Sequence, residues 1–356
     1  MSRLPRTRAP LFVTIVLDGV GAGWQPDAGD YGDEGANTLG HVCARERPRL
    51  PNLEKAGLGR ILPLEGVAPA AHPEASWGRL TERSAGKDST TGHWELAGLR
   101  LSQPFPTYPN GFPADLLNDF RAAAGVNGIL GNEVASGTEI IARLGDAHVE
   151  TGHPIVYTSA DSVFQVAAHT DVVPLERLYA WCEAARTQVC VGEHGVGRVI
   201  ARPFTGEAGA YRRLSDKRKD YAMAPPAGTV QSTLQGHGVT TVSVGKVADL
   251  FAGVGFHEQI KTGRNAIGIE KLVDRIRAWD GSPTYVWVNL IDFDQEFGHR
   301  NDPAGFAACL EEFDRALPEI RAAMPSNGGL LITADHGNDP TYPGTDHTRE
   351  YVPVLL

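Results

Sequence analysis

Three apolar runs in this chain each give way to acidic residues. Leu11–Leu17 reads L-F-V-T-I-V-L and stops at Asp18. Tyr285–Ile291 reads Y-V-W-V-N-L-I and stops at Asp292-Phe293-Asp294, and Leu330-Leu331-Ile332 leads through Thr333-Ala334 to Asp335. Runs that are apolar or β-branched without polar alternation are predicted to be strands buried on both faces, as in a parallel sheet covered by helices. A carboxylate at the tip of such a strand falls on the carboxyl edge of the sheet, where α/β proteins place their ligand sites. The other reading of Asp18, a cap for the following helix, stays open at this point.

At 356 residues the chain is long enough for a large core and suggests two domains. Its hydrophobic fraction of 42% and charged fraction of 21% are those of a soluble globular protein. A formal charge of −10 argues against general nucleic-acid binding, which needs a basic face. An acidic chain that handles an anion needs local positive charge, and metal ions are one source. Cys43, Cys182, Cys190 and Cys309 lack C-x-x-C spacing and are predicted to be reduced, mostly buried thiols. Leu11–Leu17 is too short to span a bilayer. It follows Arg3, Arg6 and Arg8 as a signal peptide would, but Asp18 ends it with no small-residue cleavage pattern, so a cytoplasmic protein with no membrane partner is expected.

Along the chain, Pro51–Leu58 is predicted to be a short helix with Gly57 near its end. Gly86-Lys87-Asp88-Ser89-Thr90-Thr91-Gly92-His93-Trp94-Glu95 places a hydroxyl cluster between glycines and ahead of helix formers. That suits a nucleophile at a helix N-terminus, where free N–H groups and the helix dipole favour a phosphoryl group. Plain capping by Ser89 or Thr90 is the competing reading. Prolines and glycines from Gln103 onward mark a change of composition that lasts to Pro225. Within it, helices are predicted at Thr138–Leu144 and Pro174–Thr187, and strands at Ile155–Thr158 and Val196–Phe204. Arg198 and Arg202 share one strand face and are candidates to grip a phosphate, or are ordinary exposed arginines. The basic run from Arg212-Arg213 to Lys219 is predicted to be a solvated loop from which one arginine reaches a substrate.

After Pro225 the alternation resumes, with a helix at Thr229–Gly236, a strand at Val239–Val244 that ends in Gly245-Lys246, and the strand before Asp292. Phe306, Cys309, Leu310, Phe313, Leu317 and Ile320 recur at helical spacing, which makes Cys309 a core residue. Gly337 allows a turn that brings the adjacent Asp335 and His336 toward one ion, and His347 follows a loop fixed by Pro340, Pro343 and Gly344. Asp18, Asp292, Asp294, His299, Asp335, His336 and His347 are thus seven candidate ligands, enough for two divalent-cation sites with a hydroxyl nucleophile between them.

Leu17-Asp18-Gly19-Val20-Gly21, Gly86–Glu95, Asn289–Asp294 with Gly298-His299-Arg300, Tyr157–Ser162, the Arg198 strand and Thr333–Pro353 resemble the phosphopentomutases of the alkaline phosphatase superfamily. The likeness runs nearly end to end and includes T-A-D-H-G-N-D-P and P-G-T-D-H-T-R-E-Y-V-P. It implies an α/β fold with a doubly wound, mostly parallel sheet metal-binding core domain (residues 1–102 and 226–356), interrupted by a smaller α/β cap domain (residues 103–225). It implies two Mn²⁺ or other divalent ions, one held by Asp294, His299 and His347, the other by Asp18, Asp335, His336 and the nucleophile, with no direct ligand role for Asp292. Ser159, Asp161, Arg198 and Arg213 of the cap and Lys246 of the core are implied to meet a sugar-phosphate substrate.

The implied activity is reversible interconversion of ribose (or 2-deoxyribose) 1-phosphate and 5-phosphate through a phosphorylated hydroxyl and a bisphosphate intermediate, primed by a sugar bisphosphate activator. Another metal-dependent phosphomutase or phosphatase of the superfamily, or a non-catalytic sugar-phosphate binding protein, are the alternatives. The family typically has threonine after G-K-D, where this chain has Ser89, with Thr90 and Thr91 as rivals for the phosphorylated position. Family members also continue some tens of residues past V-P-V-L-L, so a last helix over one sheet face is expected to be missing from this sequence.

Overall fold

The computed structural model describes residues 10–159 and 161–356; Arg3, Arg6, Arg8 and Ala160 of the motifs above lie outside them. The chain divides into two compact units, one of Met1–Gln103 with Pro225–Leu356 and one of Pro104–Ala224.

The first unit is built on a seven-stranded sheet. Its order is Glu258–Ile260, Thr240–Val244, Thr284–Leu290, Leu11–Leu17, Gly329–Thr333, Val352–Leu355 and Trp77–Leu80. The first five strands run parallel and the last two pair antiparallel. On one face Leu11, Val13, Ile15, Leu17, Val286, Val288 and Ile332 pack against Leu39, Val42, Leu272, Ile276, Phe306, Leu310 and Phe313. Those partners come from the helices Thr38–Glu46, Asn265–Arg277 and Pro303–Ala323. Each fully buried aliphatic or aromatic side chain there contributes about 2 kcal/mol of transfer free energy. Val230–Gly236, Val247–Leu250 and Ser89–Leu96 lie on the opposite face, where the Trp94 indole donates to the Leu250 carbonyl.

Helices on both faces explain why the central strands read as unbroken apolar runs. Phe12 is the exception: its place in an apolar run predicts burial, but it is 37% exposed, at an apolar groove lined also by Tyr285, Leu331 and Val230. All four cysteines are free and buried.

The second unit holds a mixed sheet in the order Leu130–Val134, Ile155–Thr158, Val163–His169, Arg198–Thr205 and Arg212–Arg213, with Lys219–Ala222 also pairing to the Arg198 strand. Ala114–Ala124 and Leu175–Ala184 cover one face through Leu116, Phe120, Leu178 and Trp181. Gly137–Thr151 covers the other face through Ile140 and Ile141, which pack on Ile155, Tyr157 and Phe204.

Several local expectations change. The helix predicted at Thr138–Leu144 runs on to Thr151, because Leu144, His148 and the left-handed Gly152 cap continue its pattern. The helix expected to reach Thr187 loses its regular winding at Ala185, where a π-type turn carries the chain to Val189. The basic segment read as a solvated loop instead forms two short antiparallel strands, Arg212–Arg213 and Lys219–Ala222. Their charged side chains point outward while the backbone completes the sheet edge, so hydropathy alone gave no sign of them.

Candidate metal and nucleophile site

The register of the three central strands sets the site. Leu17 lies opposite Leu290, and Val16 opposite Thr333, so Asp18, Asp292 and Asp335 leave the sheet on the same edge. Beyond Leu290 the chain winds into a π-type turn, Phe293–Gly298, that turns Asp294 inward and delivers His299. Beyond Thr333 it bends at Gly337, whose N–H and C=O pair with the C=O and N–H of Thr348, and this draws the His347 loop back to the edge. Gly19, at φ 75°, sits in the left-handed region, and its N–H donates to Asp335 Oδ1 at 3.1 Å.

Two groups of ligand atoms result. Asp18, Asp335 and His336 present theirs within 4.8 Å of one another, as do Asp294, His336 and His347. His336 Nε2 stands 3.3 Å from Asp18 Oδ1 and 3.4 Å from Asp335 Oδ2. Asp294 meets His347 Nε2 at 3.3 Å through Oδ1 and His299 Nε2 at 3.3 Å through Oδ2. His336 therefore lies between the two groups. Asp292 turns away: its Oδ2 accepts from the Asn265 N–H at 2.9 Å.

The donor set fits divalent cations. His336 and His299 donate from Nδ1 to the carbonyls of Gly337 and Thr345, which turns each Nε2 inward, where it can coordinate an ion once its own proton is displaced. His347 Nε2 and Asp335 Oδ2 are buried and make no well-directed hydrogen bond, their neighbours being Asp294 Oδ1 at 3.3 Å and His93 Nδ1 at 3.0 Å, an arrangement that suits atoms shared with an ion. Burial alone would lower the proton affinity of His336, but the carboxylates of Asp335 and Asp18 hold its pKa well above the usual imidazole range. Burial would raise Asp294, yet His347 and His299 hold it well below the usual carboxylate range. His299 is likewise raised, burial being outweighed by Asp294.

Ser89 is the hydroxyl that faces this cluster. Its Oγ lies 3.1 Å from His336 Nε2 and 3.4 Å from Asp18 Oδ1, and it is the first residue of the Ser89–Leu96 helix. The cap of that helix is Asp88, not Ser89 or Thr90: its Oδ1 accepts from the N–H groups of Thr90 and Thr91 at 2.9 and 3.1 Å. Thr91 Oγ1 is occupied with Asp88 Oδ2 at 2.5 Å. Capping by Asp88 frees Ser89 for chemistry.

The remaining candidates are placed separately. Lys246 follows the left-handed Gly245 at the carboxyl end of Thr240–Val244, in the first unit. In the second unit Asp161 is 3.8 Å from the Arg198 guanidinium, Ser159 follows the Ile155–Thr158 strand, and Arg213 is exposed on the edge strand. Arg202 shares the Arg198 face but engages a different partner, Gln165 Oε1, at 2.7 Å.

Sequence reasoning did not single out three residues that hold the site together. His93 and Asn289 sit fully buried behind it, and Arg349 beside it. Arg349 donates to the carbonyls of Glu82, Ser84 and Gly86 at 2.9, 2.9 and 2.7 Å and to Asp27 Oδ2 at 2.9 Å, clamping the segment that leads into Ser89. Its own N–H donates to Asp33, which also receives Lys87 at 3.0 Å. The available signal was a polar residue inside an apolar run, as Asn289 is.

Residues 11–356 match the model of the Metalloenzyme superfamily. A phosphopentomutase of Acetivibrio thermocellus is 53% identical over 346 residues, covering 97% of this chain and 88% of that protein. One of Caldanaerobacter subterraneus is 51% identical over 344 residues, covering 97% and 86%. One of Deinococcus radiodurans is 50% identical over 341 residues, covering 95% and 86%. On this likeness, which spans both units, the chain belongs to the phosphopentomutase family of the metalloenzyme superfamily.

Proposed function

We propose that this chain interconverts the 1-phosphate and 5-phosphate of ribose or 2-deoxyribose, with Ser89 as the residue that carries the phosphoryl group. The observation that supports it most is the position of Ser89 Oγ, at a helix start and within 3.4 Å of Asp18 Oδ1 and 3.1 Å of His336 Nε2. Asp18, Asp335 and His336 are read as holding one divalent cation and Asp294, His299 and His347 the other, with Mn²⁺ the proposed metal. When bound, such cations neutralise phosphoryl charge and lower the pKa of a nearby hydroxyl.

In this scheme Ser89 begins phosphorylated, primed by a sugar bisphosphate such as glucose 1,6-bisphosphate. The free hydroxyl of the sugar phosphate attacks phosphorus, the bond to Ser89 Oγ breaks, and a sugar bisphosphate forms. After this turns in the site, Ser89 Oγ attacks the other phosphorus, the bond from that phosphorus to its sugar oxygen breaks, and the product leaves with one phosphate and a free hydroxyl. We assign recognition of the sugar phosphate to Arg198, Arg213 and Lys246, whose guanidinium and ammonium groups suit phosphate oxygens, and to Ser159 and Asp161, whose hydroxyl and carboxylate suit sugar hydroxyls. Among the described residues no helix is long and apolar enough to cross a membrane, and we place the protein in the cytoplasm.

Incubation with ribose 1-phosphate, Mn²⁺ and glucose 1,6-bisphosphate, followed by mass mapping of the protein, tests this directly. Ribose 5-phosphate and a phosphate on Ser89 are expected. Free phosphate as the main product would replace the mutase reading with a phosphatase.

A further inference from the structure

His93 lies one helical turn beyond Ser89 and is fully buried, its ring stacked on Trp287 at 5.9 Å and 17°. Among the described residues, its hydrogen-bonding and ionic neighbours are Ser89, Asp335 and Asn289. Nδ1 is 2.9 Å from the carbonyl oxygen of Ser89 and 3.0 Å from Asp335 Oδ2. Nε2 is 3.1 Å from Asn289 Nδ2, and that same amide nitrogen is 3.0 Å from Asp18 Oδ2.

These contacts fix the proton positions. A carboxylate only accepts, so the Asn289 group facing Asp18 is its NH₂; a flipped amide would set two oxygens against each other. The second hydrogen of that NH₂ then goes to His93 Nε2, which accepts. The ring proton is therefore on Nδ1, directed to the Ser89 carbonyl with Asp335 Oδ2 alongside. A connected path runs from Asp18 through Asn289 and His93 to the backbone of the nucleophile and to Asp335. The Asp294, His299 and His347 group has no member in it.

Packing alone does not require this path. A phenylalanine would stack on Trp287 as well, and a leucine would fill the strand at position 289 with less desolvation cost. We propose that His93 and Asn289 are positioning residues that hold Asp18, Asp335 and the Ser89 turn in register, and so set the affinity of one cation site selectively. The inference rests on the two-cation reading given above. Hydrogen bonds to the ligands of a metal orient them, and losing one typically costs 10–100-fold in affinity.

The test is Mn²⁺ titration of the full chain and of His93→Phe, Asn289→Leu and the double variant, by calorimetry and by the electron paramagnetic resonance of free Mn²⁺. One of two dissociation constants should weaken about 10–100-fold in each single variant, with the other within about twofold. The double variant should lose no more than the worse single one, because the two residues act as one unit. His93→Asn, whose amide can restore a donor near Nδ1, should recover part of the loss. If His93→Phe does not fold, Asn289→Leu gives the same reading. Wild type binding two Mn²⁺ while the variants bind both unchanged, or weaken both equally, would overturn the relay alone. A wild-type chain that binds fewer than two Mn²⁺ would overturn the metal reading itself.

Discussion

Gly92 presses its bare Cα against the backbone of Asp335: a Cβ at position 92 would stand 2.1 Å from the Asp335 carbonyl oxygen and 3.0 Å from its Cβ. The helix that begins with Ser89 thus rests directly on the segment that carries Asp335 and His336. Gly92→Ala must push the two apart. A displacement near 1 Å is worth about a hundredfold in rate, and overpacking costs about 1–3 kcal/mol. Initial-rate kinetics should show kcat falling about a hundredfold, with a Tm lower by several degrees.

Removing the Ser89 hydroxyl should abolish phosphoryl transfer. Ser89→Ala is expected to lower turnover by at least about three orders of magnitude, with no phosphate incorporated from a labelled bisphosphate and two Mn²⁺ still bound. Ser89→Thr should remain active, and Thr91→Ala should fold less stably, since Thr91 serves Asp88, but still be labelled. A Ser89→Ala protein that still incorporates label would move the nucleophile to Thr90.

The histidines of the site bear on pH. In the cation-free chain the pKa of His336 is raised well above the usual imidazole range, so near neutral pH this ring holds a proton that a cation must displace, and His299 is shifted in the same direction. Mn²⁺ affinity should rise with pH, by up to about tenfold per unit for each proton displaced. Calorimetry in buffers of different ionisation enthalpy at pH 7 should register release of at least one proton.

Arg349 and Glu82 make a second pH-sensitive feature. Burial pushes the Glu82 carboxyl up from 4.5 to about 8, the nearby Arg349 guanidinium opposing this only in part. The folded chain then binds a proton that the unfolded chain has lost, so this group lowers stability as pH rises from 4.5 toward 8. Thermal melts of Glu82→Gln against wild type should diverge in favour of the variant across that window. Arg349→Ala, which removes the clamp on the Ser89 approach, should cost about 3–5 kcal/mol.

The parts of this architecture that could be read in the amino-acid order are those with one physical solution. An unbroken apolar run that ends in an acid belongs in a covered parallel sheet, and three such runs bring Asp18, Asp294 and Asp335 to one edge. The helix of Phe306, Phe313 and Ile320 declared itself by its period. What stayed hidden depends on neighbours distant in the chain. His93 looks like one polar residue in a short helix, and Arg349 like a charge in a loop, until the fold surrounds each with acceptors. Arg202 has the spacing of a phosphate ligand, yet Gln165 on the next strand claims it. The Lys219–Ala222 strand is too short and too charged to show a period of two.

Gly19 and Asp335, joined by a hydrogen bond, stand 316 positions apart, and Asp335, His336 and His347 all follow the strand Gly329–Thr333. On the ribosome, the chain from Gly19 through His347 must emerge before this centre has all its candidate ligands. Pairing over such separations is slow, since loop closure precedes any reward. Acquisition of metal would thus wait until these distant segments have met, and cation loading would serve as a clock for their joining.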